Sequence, residues 1–202
     1  DAPMPAGTKD GAKSVDVTKN SPLAEFGEIE YEAAGTYEYT ITEEKGDADG
    51  VTYDTTAHTA VVTVAKDPAT NALSATVKYD GEDALTITNK YASANVDLQA
   101  TKQFSDWGKA DSFTFDLEAV DGAPMPAGTT DGKKSGIATQ NAPVVDFGEI
   151  TFEKAGTYKY TITEQNGGAD GVTYDTTAHK VKVTVNKAND ATNKLTATVT
   201  YD

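Results

Sequence analysis

The chain of 202 residues contains no cysteine and no arginine, and it has only two histidines and one tryptophan. Without cysteine, it has neither disulfide bonds nor thiolate ligands for a metal ion. Acidic residues number 32 against 17 basic ones, and the resulting net charge of −15 disfavours binding to nucleic acid or to anionic lipid. No apolar run approaches the roughly 18 residues that a membrane-spanning helix needs, and no signal peptide precedes Asp1.

A long internal repeat organises the sequence. Residues 2–8 recur unchanged as residues 123–129, at an offset of 121 that also relates most later segments of the two copies. A single residue inserted in a late turn raises the offset to 122 near the end of the second copy. Because a period of this length corresponds to a whole domain, each copy is expected to have its own hydrophobic core. The near-identity of the copies indicates a tandem duplication.

The two copies are out of frame with the ends of the chain. Residues 94–122 have no counterpart earlier in the sequence, and residues 81–91 have none at its end. We therefore place the domain junction near residues 92–95, which divides the chain into a first repeat of residues 1–92 and a second of residues 95–202. The first repeat is expected to lack its opening strands and the second its closing strand, as in a segment of a longer array.

Apolar and polar side chains alternate through most of the chain. Tyr37, Tyr39 and Ile41 share one face of a run, and Phe113 and Phe115 share the face of another. Runs with a period of two that end in Asn-Gly or Asp-Gly turns indicate antiparallel strands, and no long segment has the helical period of 3.6. The sequence predicts an all-β fold of tandem immunoglobulin-like β-sandwiches in a linear array, with about seven to nine strands in each repeat.

A few polar residues are in phase with apolar ones on the predicted core faces. Lys102 continues the face of Leu98, and Asn89 lies on the face of the last strand of the first repeat. Glu43 and Glu164 end the tyrosine-bearing faces of the two copies. Buried lysine and glutamate are uncommon unless they are paired. Alternation alone leaves a second interpretation open, in which each residue lies at a strand end where the face reaches solvent.

The order of these motifs resembles a known family. A lysine in an opening strand, Phe-Thr-Phe-Asp-Leu at residues 113–117, Gly-Thr-Tyr-Lys-Tyr-Thr-Ile-Thr-Glu at residues 156–164 and Thr-Asn-Lys-Tyr at residues 88–91 carry the likeness. Together they resemble the streptococcal pilin isopeptide-linkage repeat, an FctA-type, CnaB-like sandwich found in Gram-positive pili and surface adhesins. The resemblance spans the whole chain, and its tyrosine strand with a closing glutamate occurs twice.

The resemblance implies that a lysine amine and an asparagine carboxamide form an intramolecular isopeptide bond with the help of a glutamate. Lys102 matches the nucleophile, Asn89 the acceptor, and Glu43 and Glu164 the catalytic acids. The second repeat has the lysine and the glutamate without a closing asparagine, and the first has the glutamate and the asparagine without the lysine. Burial among aromatic walls such as Tyr158, Tyr160 and Phe104 would favour a neutral amine and a protonated glutamate, which polarises the amide carbonyl.

Such self-modification needs no external substrate and no cofactor, so the chain is expected not to be an enzyme. The favoured function is a structural stalk or spacer of a pilus or adhesin. The cross-link would carry tension across the domain in place of a disulfide bond, which a chain without cysteine cannot form. The expected partners are neighbouring repeats of the same polypeptide, and the expected location is extracellular, on the cell wall of a Gram-positive bacterium. The alternative is an adhesin module that itself binds a host glycan or matrix protein.

Three other features carry weaker signals. Asp47-Ala-Asp-Gly resembles a calcium loop, but the second repeat has Gly168 in place of Asp47, and a turn is favoured. His58 and His179 have no second histidine or cysteine nearby, so no metal site is expected. Trp107 lies between two predicted strands and is expected to pack over a sandwich edge, with a ligand surface as the alternative.

Overall fold

A computed structural model of the chain describes residues 2–190 and 192–202. These residues form twelve strands and no helix, which confirms the all-β fold class. In the described part of the chain there is accordingly no helix with the length and hydropathy to cross a membrane. The strands are β1 Gly35–Ile41, β2 Val51–Thr52, β3 His58–Lys66, β4 Leu73–Tyr79, β5 Lys90–Tyr91, β6 Ala94–Thr101, β7 Ser112–Val120, β8 Lys133–Thr139, β9 Val144–Phe152, β10 Gly156–Glu164, β11 His179–Lys187 and β12 Leu195–Tyr201.

The chain divides into two compact units whose boundaries differ from those of the sequence repeats. Unit 1 consists of Asp1–Glu44 and Asp54–Thr88, and unit 2 of Lys45–Tyr53 and Asn89–Asp202. A short loop of the first repeat, together with the segment that follows Thr88, is therefore part of the compact body built by the second repeat. The division into domains at residues 92–95 stays a prediction.

Unit 1 contains one antiparallel sheet with the strand order β1-β3-β4. The side chains of β3 alternate between its two faces, so that Ala60, Val62 and Val64 lie on one face and are buried. Val62 lies opposite Tyr37 of β1 and Val77 of β4. Residues 22–34 belong to no strand. This unit thus builds a single small sheet with a thin layer of buried side chains.

Unit 2 is a β-sandwich. Its larger sheet has the order β12-β11-β10-β7-β8, and β6 pairs with β9 in a second sheet. The inward faces of both sheets form one hydrophobic core, which is the arrangement expected when two half-buried sheets cover each other. The largest completely buried side chains of this core are Tyr160, Phe113, Phe147, Phe152, Leu98, Leu117 and Ile150.

A β-bulge in β9 explains why the sequence Phe147-Gly-Glu-Ile150 departs from strict alternation. Asp97 and Gln99 of β6 pair with Glu149 and Asp146, so β9 contains one extra residue at this point. Gly148 has a φ of 93°, a conformation that other residues rarely adopt. An extra residue shifts the alternation by one position. As a result, Phe147 before the bulge and Ile150 after it both face the core, with exposed fractions of 1% and 0%.

The last strand predicted for the first repeat is largely absent. Of the segment around residues 85–91, only Lys90–Tyr91 forms a strand, β5, and it pairs with Val51–Thr52. Asn89 is exposed, in contrast to the inward orientation that its phase predicted. A strand needs a partner for its backbone hydrogen bonds, and the strands among the described residues of 1–92 include no opening strand that could pair with this segment. Among the described residues, the second repeat has seven long strands and the first repeat has three. The predicted number of seven to nine strands is therefore reached in the second repeat and not in the first.

Candidate functional site

Lys102 lies directly after β6, where the backbone is still held to the neighbouring segment. Its amide donates a hydrogen bond to the carbonyl of Pro143 at 2.8 Å. The alternation of β6, in which Ala94 and Leu98 are buried, continues through this residue, so the side chain turns toward the interior. Only 10% of the Lys102 side chain is exposed. A lysine this far from water is unusual without a partner.

Glu164 supplies that partner. It is the last residue of β10, where pairing with Phe115 of β7 fixes its backbone. The Nζ atom of Lys102 donates to Oε1 of Glu164 at 2.7 Å, and the amide of Asp175 donates to Oε2 at 3.0 Å. The glutamate is 3% exposed. Both oxygens of this carboxyl group therefore have a donor, and the carboxyl is held in one orientation next to the amine.

Aromatic rings surround the lysine amine. The Nζ atom is 4.1 Å from the ring centroid of Phe113 and 5.9 Å from that of Phe104. Trp107 packs edge-on against both rings, at centroid distances of 5.4 and 5.8 Å, and Tyr174 contacts Phe113 from a further direction at 5.6 Å. The loop that carries Trp107 thus packs over the site. This ring cluster keeps water from the amine and strengthens its attraction to the carboxyl group.

The predicted aromatic walls are only partly correct. Phe104 contributes as expected, but Tyr158 and Tyr160 do not line the amine. Tyr160 donates from its hydroxyl to the carbonyl of Pro124 at 2.7 Å, and Tyr158 donates to that of Lys154 at 2.9 Å. The reason is distance along the strand, because four residues of β10 separate Tyr160 from Glu164 and correspond to about 13 Å. Burial raises the pKa of Tyr160, which keeps its hydroxyl a donor.

A second buried carboxyl group lies near the site and was not found from the sequence. Asp116 is 8% exposed although it lies on the face of β7 opposite to the core phenylalanines. Its Oδ1 accepts from Ser135 at 2.6 Å, and both of its oxygens accept from the amide of Gln165 at 2.9 Å. Gln165 is the residue after Glu164. No periodic signal marks such a group, because its burial comes from side chains of β8 and of the loop after β10.

The other predicted site residues lie elsewhere. Glu43 is half-buried and follows the end of β1 by two residues, whereas its counterpart Glu164 is still within a strand. Asn89 is exposed and lies directly before β5. The structure thus brings Lys102 and Glu164 together. The roles of Asn89 and Glu43 stay predictions.

The resemblance of residues 47–50 to a calcium loop has a different explanation. The ammonium group of Lys187 lies 2.7 Å from Oδ1 of Asp47 and 3.2 Å from Oδ1 of Asp49. The ammonium group of one lysine therefore contacts both carboxylates that suggested a cation site. Among the described residues, no cluster of three or more histidine, cysteine or acidic side chains could hold a metal ion.

The comparison with protein families identifies the family of the chain. The FctA family model, a Spy0128-like isopeptide containing domain, matches residues 1–92 and 98–202. The chain belongs to this family. The resemblance stated from the motifs is thereby confirmed, and the match occurs once in each repeat.

A curated pilin sequence and a solved pilin structure, both from Streptococcus pyogenes, are similar to the chain. A pilin of Streptococcus pyogenes serotype M1 is 46% identical to it over 57 residues, which are 28% of this chain. The chain spans 16% of the length of that pilin. The crystal structure of the major pilin from Streptococcus pyogenes matches 99% of this chain and 88% of its own, with 20% identity and a TM-score of 0.42.

Proposed function

We propose that the chain is a structural segment of a Gram-positive pilus or surface adhesin, a stalk or spacer located outside the cell and anchored to its wall. Its repeats, residues 1–92 and 95–202, would follow one another head to tail. The observation that carries this proposal is the buried contact of 2.7 Å between Lys102 and Glu164, under the rings of Phe113 and Phe104. Because the chain belongs to a family of isopeptide-containing domains, we interpret this pair as the lysine and glutamate of an isopeptide-forming site.

The chemistry that we propose is a single amide exchange. The amine of Lys102 attacks the Cγ atom of an asparagine carboxamide, so that the new C–N bond forms and the bond from Cγ to Nδ2 breaks. Glu164 first polarises the carbonyl and then transfers the proton from the amine to the leaving group, which departs as ammonia. Its hydrogen bond to the amide of Asp175 keeps the carboxyl group in place during these steps. No turnover follows, and the domain is not an enzyme.

Asn89 identifies the acceptor position. It belongs to the closing segment of the first repeat, and the second repeat would obtain an equivalent asparagine from a segment with the sequence of residues 81–91. Glu43 would assist the corresponding reaction in the first repeat if a lysine equivalent to Lys102 were supplied. Cross-linking the first and last strands of a domain lets the covalent bond, rather than backbone hydrogen bonds, carry a pulling force along the chain.

The distribution of exposed aromatic side chains favours the spacer over a ligand-binding adhesin module. A ligand patch repeated in both copies should present matching aromatic residues at the surface. Among the described residues, the large exposed aromatic side chains are Tyr91 at 55% and Tyr201 at 52%. Tyr91 lies outside the part of the repeat that both copies contain, and Tyr79, the counterpart of Tyr201, is half-buried. Tandem copies that share no such patch are better suited to adding length.

The test is the intact mass of a chain extended after Asp202 by a copy of residues 81–91. We expect the purified extended chain to be one ammonia lighter than its sequence mass, and peptide mapping to show the bond at Lys102. Replacing Lys102 with Ala or Glu164 with Gln should restore the full mass. The matched control is Glu43→Gln, which changes the equivalent glutamate of the other repeat and should leave the loss of ammonia intact.

Two results would contradict the proposal. If the extended wild-type chain keeps its full sequence mass while its circular dichroism shows native β structure, the cross-link does not form. A loss of ammonia that persists in the Lys102→Ala variant would assign the reaction to another lysine.

A further inference from the structure

The loop of residues 46–52 is seated on the turn between β11 and β12 within unit 2. The amide of Gly50 donates to the carbonyl of Asn193 at 3.0 Å, and the side-chain amide of Asn193 donates to the carbonyl of Gly46 at 3.2 Å. The hydroxyl of Thr52 donates to the carbonyl of Thr192 at 3.1 Å. Asn193 is 2% exposed as a result. The loop and the turn are thus joined by reciprocal backbone and side-chain hydrogen bonds.

Charged groups complete this contact. The Nζ atom of Lys187 binds both Asp47 and Asp49, and the second oxygen of Asp49 accepts from the amide of Ala155 at 2.7 Å. The amide of Ala155 and the Lys187 ammonium hold the pKa of Asp49 below its ordinary value. The same carboxylates raise the pKa of Lys187. Lysine and aspartate are therefore complementary on the two sides of the contact.

The second repeat contains the same loop in the same conformation, but with its surface open. Gly171, the counterpart of Gly50, has a φ of 74° against 72°. In both loops, the valine after this glycine donates its amide to an alanine carbonyl at 3.2 Å. Gly50 is buried, whereas Gly171 and Asp170 are exposed. The loop is thus formed before any partner binds, which lowers the entropic cost of docking.

The first repeat contains the complementary turn, also exposed. Lys66 and Asn71 correspond to Lys187 and Asn193. Asn71 has a φ of 61° and Asn193 one of 46°, and both turns are closed by a backbone hydrogen bond of 2.8 Å. The turn between β3 and β4 is one residue shorter, but it keeps the left-handed asparagine whose carbonyl and side chain make the contact. Lys66 and Asn71 are both exposed.

We propose that the loop of residues 167–173 docks on the turn of residues 66–71 of a second copy of this chain, head to tail. Gly171 would donate to the carbonyl of Asn71, and Asp170 would pair with Lys66, as their counterparts do inside unit 2. The contact has one charge fewer than the internal one, because Gly168 stands where the first loop has Asp47. It does not require the cross-link at Lys102, and it gives the array a second, noncovalent connection.

Zero-length coupling by a carbodiimide tests this contact on the unmodified chain, because it converts a carboxylate and an amine in contact into an amide. The internal pair of Lys187 and Asp49 should couple within one chain. At high protein concentration, covalent dimers should form, and peptide mass spectrometry should find Lys66 joined to Asp170. The single variants Lys66→Asp and Asp170→Lys each remove one of the two coupling groups and place like charges opposite each other, so neither should give a peptide that joins these positions.

The variant with both changes restores opposite charges and should recover the dimer, now joined between the exchanged positions. Lys19→Asp is the control, since Lys19 is exposed outside both surfaces and the substitution changes the net charge by the same amount. The proposal is overturned if the internal pair couples but the Lys66 to Asp170 peptide is absent, or if Lys19→Asp also abolishes that peptide. The proposal is also overturned if the coupled peptide that joins Lys187 to Asp49 within one chain is absent. Because Lys102→Ala should dimerise normally, this outcome is separate from that of the mass experiment.

Discussion

Two segments with almost the same sequence adopt different structures in this chain. In the second repeat, Phe147-Gly-Glu-Ile150 is part of β9, and both apolar residues are buried to 1% exposure or less. In the first repeat, Phe26-Gly-Glu-Ile29 is in no strand, and both apolar residues are half-buried. The sequence between the positions is identical, so the difference comes from the environment. β9 has β6 as its hydrogen-bonding partner, and no strand among the described residues of 1–92 occupies the equivalent position.

Local features, by contrast, are the same in both repeats. Gly27 has a φ of 97° and Gly148 one of 93°. Tyr39 donates to the carbonyl of Pro3 as Tyr160 does to that of Pro124, both at 2.7 Å. Such contacts join residues of a single short segment to one neighbour and need no complete sheet. The turns and the hydrogen bonds of these tyrosine hydroxyls therefore form in both repeats, whereas strand pairing depends on which other strands are present.

The largest expected effect concerns the buried phenylalanine. Phe147→Ala should destabilise unit 2 by about 3–5 kcal/mol, because it leaves a cavity in a packed core. Phe26→Ala, the matched change, should alter the unfolding of unit 2 by less than about 0.5 kcal/mol. The single tryptophan, Trp107, packs in unit 2 on Phe113 and Phe104. Its fluorescence during urea unfolding therefore measures the stability of this unit, and equal shifts for the two variants would contradict the structural difference.

An intermediate effect is expected from a pair of residues whose sizes are exchanged between the repeats. A side chain on Gly136 would collide with Val145, and the first repeat has Val15 and Ala24 at these positions. Gly136→Val alone should destabilise unit 2 by about 1–3 kcal/mol through overpacking. Adding Val145→Ala copies the pair of the first repeat and should recover much of that loss. A double-mutant cycle by the same fluorescence measurement should give a coupling of at least ~0.5 kcal/mol.

A coupling near zero in that cycle would show that the two positions do not pack against each other. A clear coupling would show that the first repeat keeps the complementarity of this packing, although residues 22–34 form no strand in unit 1.

The smallest effect concerns acid. Hydrogen bonds from Thr177, together with one from His179, lower the pKa of Asp175 to about 2 from its ordinary value of 3.8. A carboxyl group with a lowered pKa in the folded state stabilises the fold above pH 3.8, and this contribution is lost as the pH falls toward 2. The pKa of Asp54, the counterpart, is lowered in the same direction by Thr56. Both groups are at the surface, so the change in stability should be small.

Carboxyl chemical shifts in an NMR titration measure the two pKa values directly. His179→Ala should raise the pKa of Asp175. The matched change His58→Ala should mainly raise the pKa of Asp80, because His58 Nδ1 contacts Asp80 Oδ2 at 2.7 Å and contributes to the lowered pKa of that group. A lowered pKa of Asp175 that persists unchanged in His179→Ala would assign the shift to Thr177 alone.

Alternation predicted the inward orientation of several side chains of the second repeat, including Lys102, which follows the phase of Leu98. It was not sufficient for Asn89, whose phase predicted burial but which is exposed. A strand at this position needs a neighbouring strand for its backbone hydrogen bonds, and the strands among the described residues of 1–92 include no such neighbour. The alternation of apolar and polar residues carries no information on whether a neighbouring strand exists. Asp116 was missed for a related reason, since its burial depends on Ser135 and Gln165, which reach it from other segments.

The all-β class, the duplication and the faces on which Lys102 and Glu164 lie all follow from the amino-acid sequence. These properties depend on the conformational preferences of single residues and on a period of two, which are local. Three other features are visible only in the tertiary structure. Lys102 and Glu164 meet at 2.7 Å, residues 22–34 form no strand, and residues 46–52 dock on the β11–β12 turn. Each of these depends on contacts between segments far apart in the chain, and such contacts form only where both partners are present and held at the right distance.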